Sequence, residues 1–121
     1  MGKYNSHLTQ LDLSSNELGE GAAAALGEAL RSNVALTKLS LKDCGLRDAD
    51  CTALAHGLLA NTALTFLALG GNKVRPEGCT ALAGALRKNG TLRELRLGNN
   101  WVGNQASKWV SKYGSADVPS P

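Results

Sequence analysis

A period of 28 residues runs through this chain without an insertion or deletion, marked by leading leucines at Leu8, Leu36, Leu64 and Leu92. Each unit opens on one frame: LTQLDLSSNEL, LTKLSLKDCGL, LTFLALGGNKV and LRELRLGNNWV. Written generally, it is L-x-x-L-x-L-x-x-N/C-x-L/V. A period kept this strictly predicts a solenoid, in which each unit buries its apolar face only by stacking on its neighbours.

The fourth and sixth positions of the frame alternate as a short strand does. Leu11 and Leu13, Leu39 and Leu41, Leu67 and Leu69, and Leu95 and Leu97 are therefore expected to point inward. The ninth position holds Asn16, Cys44, Asn72 and Asn100, where a side chain can bond the backbone of the turn that follows the strand. An unpaired buried amide there costs about 1–3 kcal/mol, so an aligned Asn column reads as structural.

After the strand, alanine-rich stretches carry Leu26 and Leu30, Leu54 and Leu58, and Leu82 and Leu86 at i and i+4, one face of a helix. Ala25, Ala53 and Ala81 share one position and are expected to let neighbouring helices approach. Asn33, Asn61 and Asn89 follow each helix and read as stop signals in the left-handed conformation.

A strand, a turn, a helix and a return loop in each unit make one coil of an α/β horseshoe, with parallel strands on the concave face and helices on the convex face. In these motifs the chain resembles the ribonuclease-inhibitor-like class of leucine-rich repeats, from Leu8 to about Tyr113. The resemblance implies an α/β solenoid. For function it implies only a range: enzyme inhibitors, innate-immune sensors, GTPase activators, actin-filament caps and ciliary scaffolds. Function must be argued from the surface.

The domain reading follows. Residues 1–7 look like the end of a preceding repeat, with Asn5 in register with Asn33; 8–113 form the repeat domain, its fourth unit shortened; 114–121 have the composition of a disordered tail. Trp109, at the Ala25 position, is expected to form a carboxy-terminal lid with Val110 and Tyr113, and Gly114 to close that helix. The amino-terminal edge of the stack is expected to be open.

With 121 residues and three full units plus a short fourth, the stack sits near the minimum of about three units. A net charge of +3, dispersed along the chain, and few aromatics argue against nucleic-acid binding. There is no apolar run of about 18 residues and no leader, so no membrane partner is expected and a cytoplasmic location is the default. Cys51 and Cys79 occupy one position in consecutive helices, which pack about 8–10 Å apart, too far for an ordinary disulfide. With Cys44 they read as small buried residues in a reducing compartment.

No catalytic constellation, cofactor motif or metal cage stands out. His7 and His56 lack partners at triad or metal spacing, and Gly70-Gly71-Asn72-Lys73 lacks the spacing of a phosphate loop.

What remains is the concave surface, where parallel strands repeat every ~4.8 Å and equivalent positions form columns. The third position gives Gln10, Lys38, Phe66 and Glu94; the fifth Asp12, Ser40, Ala68 and Arg96; the seventh Ser14, Lys42, Gly70 and Gly98. Phe66 is expected to be exposed above a floor of Ala68, Gly70 and Gly71, with Lys73 and Trp101 on the rim and Lys38, Lys42, Glu94 and Arg96 around it. Such an aromatic anchor with a charged surround predicts a protein partner, favouring an acidic one. The leading expectation is a non-catalytic interaction module binding on this face. A second is a structural subunit, or a fragment of a longer array, that docks or self-associates through the amino-terminal edge. A third, implied by the resemblance alone, is part of a GTPase activator, with Arg75, Asn99 and Asn100 as its polar residues.

Overall fold

The computed structural model of the chain describes residues 8–19 and 21–103, together with the backbone of residues 115–117. The expectations for residues 1–7, Trp109, Val110, Tyr113 and Gly114 lie outside these. Strands and helices alternate as the period predicts: β1 (Gln10–Asp12), α1 (Ala22–Ser32), β2 (Lys38–Ser40), α2 (Asp48–Ala60), β3 (Phe66–Ala68), α3 (Pro76–Lys88), β4 (Glu94–Arg96) and β5 (Ser115–Asp117). The strands form one parallel sheet in sequence order. Its register is the 28-residue period, with Leu11, Leu39, Leu67 and Leu95 as successive partners.

Each strand is only three residues long, so its apolar payload is small and the core is built by addition. Leu39, Leu41, Leu54, Leu58, Leu64, Leu67, Leu69, Leu82 and Leu95 are fully buried. Leu11, Leu13 and Leu26 of the first unit are only half-buried, and Leu8 is 38% exposed, because β1 lies at the edge of the sheet. The apolar gain from burial scales with area removed from water, so the first unit contributes least.

Two ladders of side-chain amides bind the coils at opposite ends of the strands. On the strand-exit side, Asn72 Nδ2 donates to the carbonyls of Leu41 (2.9 Å), Leu69 (2.9 Å) and Gly70 (3.3 Å), while its Oδ1 accepts from the N–H groups of Cys44 (2.9 Å) and Leu46 (3.0 Å). Asn100 repeats this one coil later, reaching Leu69 and accepting from Val74. On the return side, Asn61 Nδ2 donates to Leu30 (2.8 Å) and Asn89 Nδ2 to Leu58 (2.7 Å). Their Oδ1 atoms cap the N–H groups of Leu64 and Leu92. Each amide thus satisfies buried backbone groups that no ladder or helix bond reaches.

Here the structure corrects the reading of Asn33, Asn61 and Asn89 as left-handed helix stops. Their φ values are −75°, −73° and −84°, ordinary extended backbone. Asn is selected at these positions because one side chain both donates and accepts. The left-handed conformation occurs instead at the eighth frame position, at Ser15 (φ 62°), Asp43 (φ 55°), Gly71 (φ 70°) and Asn99 (φ 57°). Gly71 also answers a contact, since a Cβ there would lie 1.8 Å from the Asp43 carboxylate.

A second correction concerns the helix approach. Ala25 is exposed, and Ala53 and Ala81 are partly buried. The closest helix contact runs through Gly27 and Gly57: a Cβ on Gly57 would fall 2.2 Å from the Gly27 carbonyl oxygen, and one on Gly27 2.4 Å from that of Ala53. Only glycine lets the two backbones meet at that distance.

Ser115–Asp117, placed by composition in a disordered tail, form a fifth strand paired to β4, with Ala116 opposite Leu95. The physical reason is the edge of β4, whose unpaired main-chain groups can accept another parallel segment without requiring a leucine frame.

Candidate functional site

The register sets the concave face. Because Lys38, Phe66 and Glu94 are successive partners, as are Ser40, Ala68 and Arg96, side chains from three coils converge on a cavity of about 390 Å³. Phe66, Lys42 and Arg96 line its walls, and Ala68, Gly70 and Gly98 its floor. The floor is kept open by size: a Cβ on Gly70 would already lie 3.3 Å from the Gly98 carbonyl oxygen.

Phe66 is half-buried, not exposed as its register position suggests. The Arg96 guanidinium sits 5.5 Å from its ring centroid, a distance at which the ring quadrupole attracts a cation. Arg96 is in turn ion-paired with Glu94, two residues earlier on β4. Glu94 therefore offsets part of the Arg96 charge beside the ring. Ala68 is 8% exposed, screened by its neighbours. Lys38 is exposed and lines a smaller recess of about 230 Å³ with Gln10, Asp12 and the other side of Phe66. Ser14 links the first two coils, its hydroxyl 2.6 Å from that of Ser40. Hydrogen bonds from Ser14 hold the Asp12 carboxyl below its usual range.

Lys73 and Trp101 do not join this cavity. They lie on the loops between strands and helices, where they line a separate groove of about 500 Å³ with Arg47, Asp48, Ala49 and Arg75. The structure thus divides the seven predicted contact residues into a concave group, Lys38, Lys42, Phe66, Glu94 and Arg96, and a rim pair, Lys73 and Trp101. The sequence places Arg47 and Arg75 further along the ascending turns beside the charged surround, where they favour an acidic partner, but does not single out Asp48. The signal for this groove was present, since the period equates Arg47 with Arg75 and Lys73 with Trp101.

The three cysteines are buried, and none forms a disulfide. Burial pushes the Cys51 thiol up to about 12, with Asp48 and Asp50 adding in the same direction, and the Cys79 thiol up to about 11. Both remain protonated at neutral pH, whereas nucleophiles and metal ligands act as thiolates. Cys44 is also raised, chiefly by burial. Among the described residues no group of three or more His, Cys, Asp and Glu side chains is placed to hold a metal, and no helix is long and apolar enough to cross a membrane.

Against known proteins, a leucine-rich repeat family model matches residues 4–27, 32–55, 60–83 and 88–106. No curated protein sequence matches the chain. Among solved structures, Leiomodin-1 Actin-Binding Site 2 superposes with a TM-score of 0.86 at 24% identity, covering 95% of this chain and 72% of that one. The tropomodulin C-terminal domain of Caenorhabditis elegans gives a TM-score of 0.81 at 16% identity, covering 97% of this chain and 75% of that one. At these identities the likeness is one of fold. The four matched segments follow the four structural coils, and the chain belongs to the leucine-rich repeat family.

Proposed function

We propose that this chain is a non-catalytic binding module that takes a protein partner on its concave face, with Phe66 as anchor. The observation that carries this reading is the cavity of about 390 Å³ around Phe66, walled by Lys42 and Arg96 and floored by small residues. An aromatic ring beside an open floor can accept an apolar side chain, and the desolvated centre of such a contact is where binding energy concentrates. Lys42 and Arg96, the latter paired with Glu94, supply a polar rim that selects the approach. A fold neighbour, Leiomodin-1 Actin-Binding Site 2, is described by its name as binding actin, which makes purified actin the first named probe.

The test compares wild type with Phe66→Ser and with Gly70→Leu, which fills the floor, in affinity capture from cell lysate and in binding to purified actin. All proteins are first matched by circular dichroism and melting temperature. Loss of one specific partner in both variants supports the proposal. An identical partner list for the three proteins would move the function off the concave face. A melting temperature that collapses in Phe66→Ser would mean the ring is a core residue and not an anchor.

A further inference from the structure

The rim groove is a second surface, separate from the cavity around Phe66 and independent of the function proposed for it. It is built from three coils: Arg47 precedes α2, Lys73 and Arg75 precede α3, and Trp101 stands at the Lys73 position one coil later. All four side chains are exposed, Trp101 at 53%. The Arg75 guanidinium lies over the Trp101 ring at 5.8 Å, which presents its planar donor fork beside an apolar face.

The groove's charge is one-sided. Among its six lining residues three are cations and one, Asp48, is an acid. The Asp48 Oδ1 is already engaged, accepting from the Arg75 backbone N–H at 2.7 Å. The next acid along, Asp50, is turned onto the Arg47 backbone N–H at 2.8 Å. These two bonds have a further consequence. The N-cap N–H groups of α2 and α3, those of Arg47 and Arg75, are occupied by the chain's own carboxylates. What faces the groove is side-chain cation and indole, on flexible stems and set at the spacing of successive coils.

We propose that the rim groove binds an acidic peptide segment of a partner protein, its Asp or Glu carboxylates paired by Arg47, Lys73 and Arg75 and an adjacent apolar side chain laid on Trp101. Arginine forks suit carboxylates bidentately, and the cations of successive coils offer an acidic segment several carboxylate partners in one groove. Charge complementarity of this kind sets association rate and register, and weakens as salt rises.

The test uses fluorescently labelled short peptides with alternating Glu and Leu, read by polarisation at low and raised salt. Gln-for-Glu and Lys-for-Glu peptides, and a single-stranded RNA, serve as comparison ligands. The Glu peptide is expected to bind wild type, and its affinity to fall about tenfold or more in Arg47→Glu/Arg75→Glu and in Trp101→Ser. Phe66→Ser should bind as wild type does, which separates this surface from the concave one. Backbone amide spectra of each variant establish that the fold is retained. Absence of Glu-peptide binding, equal binding of the Gln peptide, tighter binding of the RNA, or an undiminished affinity in Arg47→Glu/Arg75→Glu would each overturn the proposal.

Discussion

The junction between the first and second coils and that between the second and third are built from the same frame, yet they differ at its ninth position. Between the second and third, Asn72 makes five hydrogen bonds, three to carbonyls and two from the N–H groups of Cys44 and Leu46. Between the first and second, Cys44 occupies that place. Its thiol donates to the Leu13 carbonyl at 3.2 Å, but sulfur is a weak acceptor. Leu18, the counterpart of Leu46, sends its N–H to the Cys44 backbone carbonyl at 3.4 Å, against 3.0 Å for Leu46 to Asn72. The comparison shows that one column position sets how firmly a coil is tied to its predecessor. The repeat need not be uniform in strength to be uniform in shape.

Five substitutions, read in three tests, break or sharpen this contrast. Asn72→Ala should have the largest effect, because it leaves the Cys44 and Leu46 N–H groups and the Leu41 carbonyl buried without partners. At about 1–3 kcal/mol for each such group, partly relieved by relaxation, a loss of roughly 3 kcal/mol or more is expected in chemical denaturation. A loss below that of Cys44→Ala would refute the ranking of the two junctions. Next, Leu69→Ala removes a fully buried side chain and should cost about 2–5 kcal/mol. Leu13→Ala, at the same frame position in the half-buried first coil, should cost clearly less; equal values would mean that the first coil is packed as well as the third. The smallest effect is the most specific. Cys44→Asn should stabilise the chain by about 0.5–1.5 kcal/mol, the worth of a hydrogen bond or two, and slow amide exchange at Asn16 and Leu18 more than elsewhere. Unchanged exchange there would show that the first junction lacks nothing the thiol fails to supply.

Most of the fold was legible because the period carries it. Leu39, Leu67 and Leu95 read as partners from spacing alone, and the sheet pairs them so. The misreadings arose where one residue type serves two physical ends. Asn33, Asn61 and Asn89 suit both a left-handed cap and an amide ladder, and spacing does not separate the two. Ala25, Ala53 and Ala81 suggested a close helix approach, but Gly27 and Gly57 meet across coils without sharing a frame position, so the column reading overlooked them. Ser115–Asp117 pairs through main-chain groups, which leave little trace in side-chain pattern. At the candidate site, the concave columns follow from register, whereas the separation of Lys73 and Trp101 from Phe66 depends on how the strand-to-helix loops leave the sheet. No column of residues encodes that path.

Both amide ladders point the same way along the chain. Asn61 reaches back to Leu30, Asn72 to Leu41, Asn89 to Leu58 and Asn100 to Leu69, each 31 residues earlier. Such bonds make assembly vectorial. As the chain leaves a ribosome, the second and third coils emerge with their exit turns still hydrated, and only the following coil brings the amide that closes each. At about 5–20 residues per second, the wait for the next coil lasts roughly 2–6 seconds. A newly made coil is thus held open to solvent and to chaperones for a defined interval, and the order of synthesis becomes the order in which its turns are sealed.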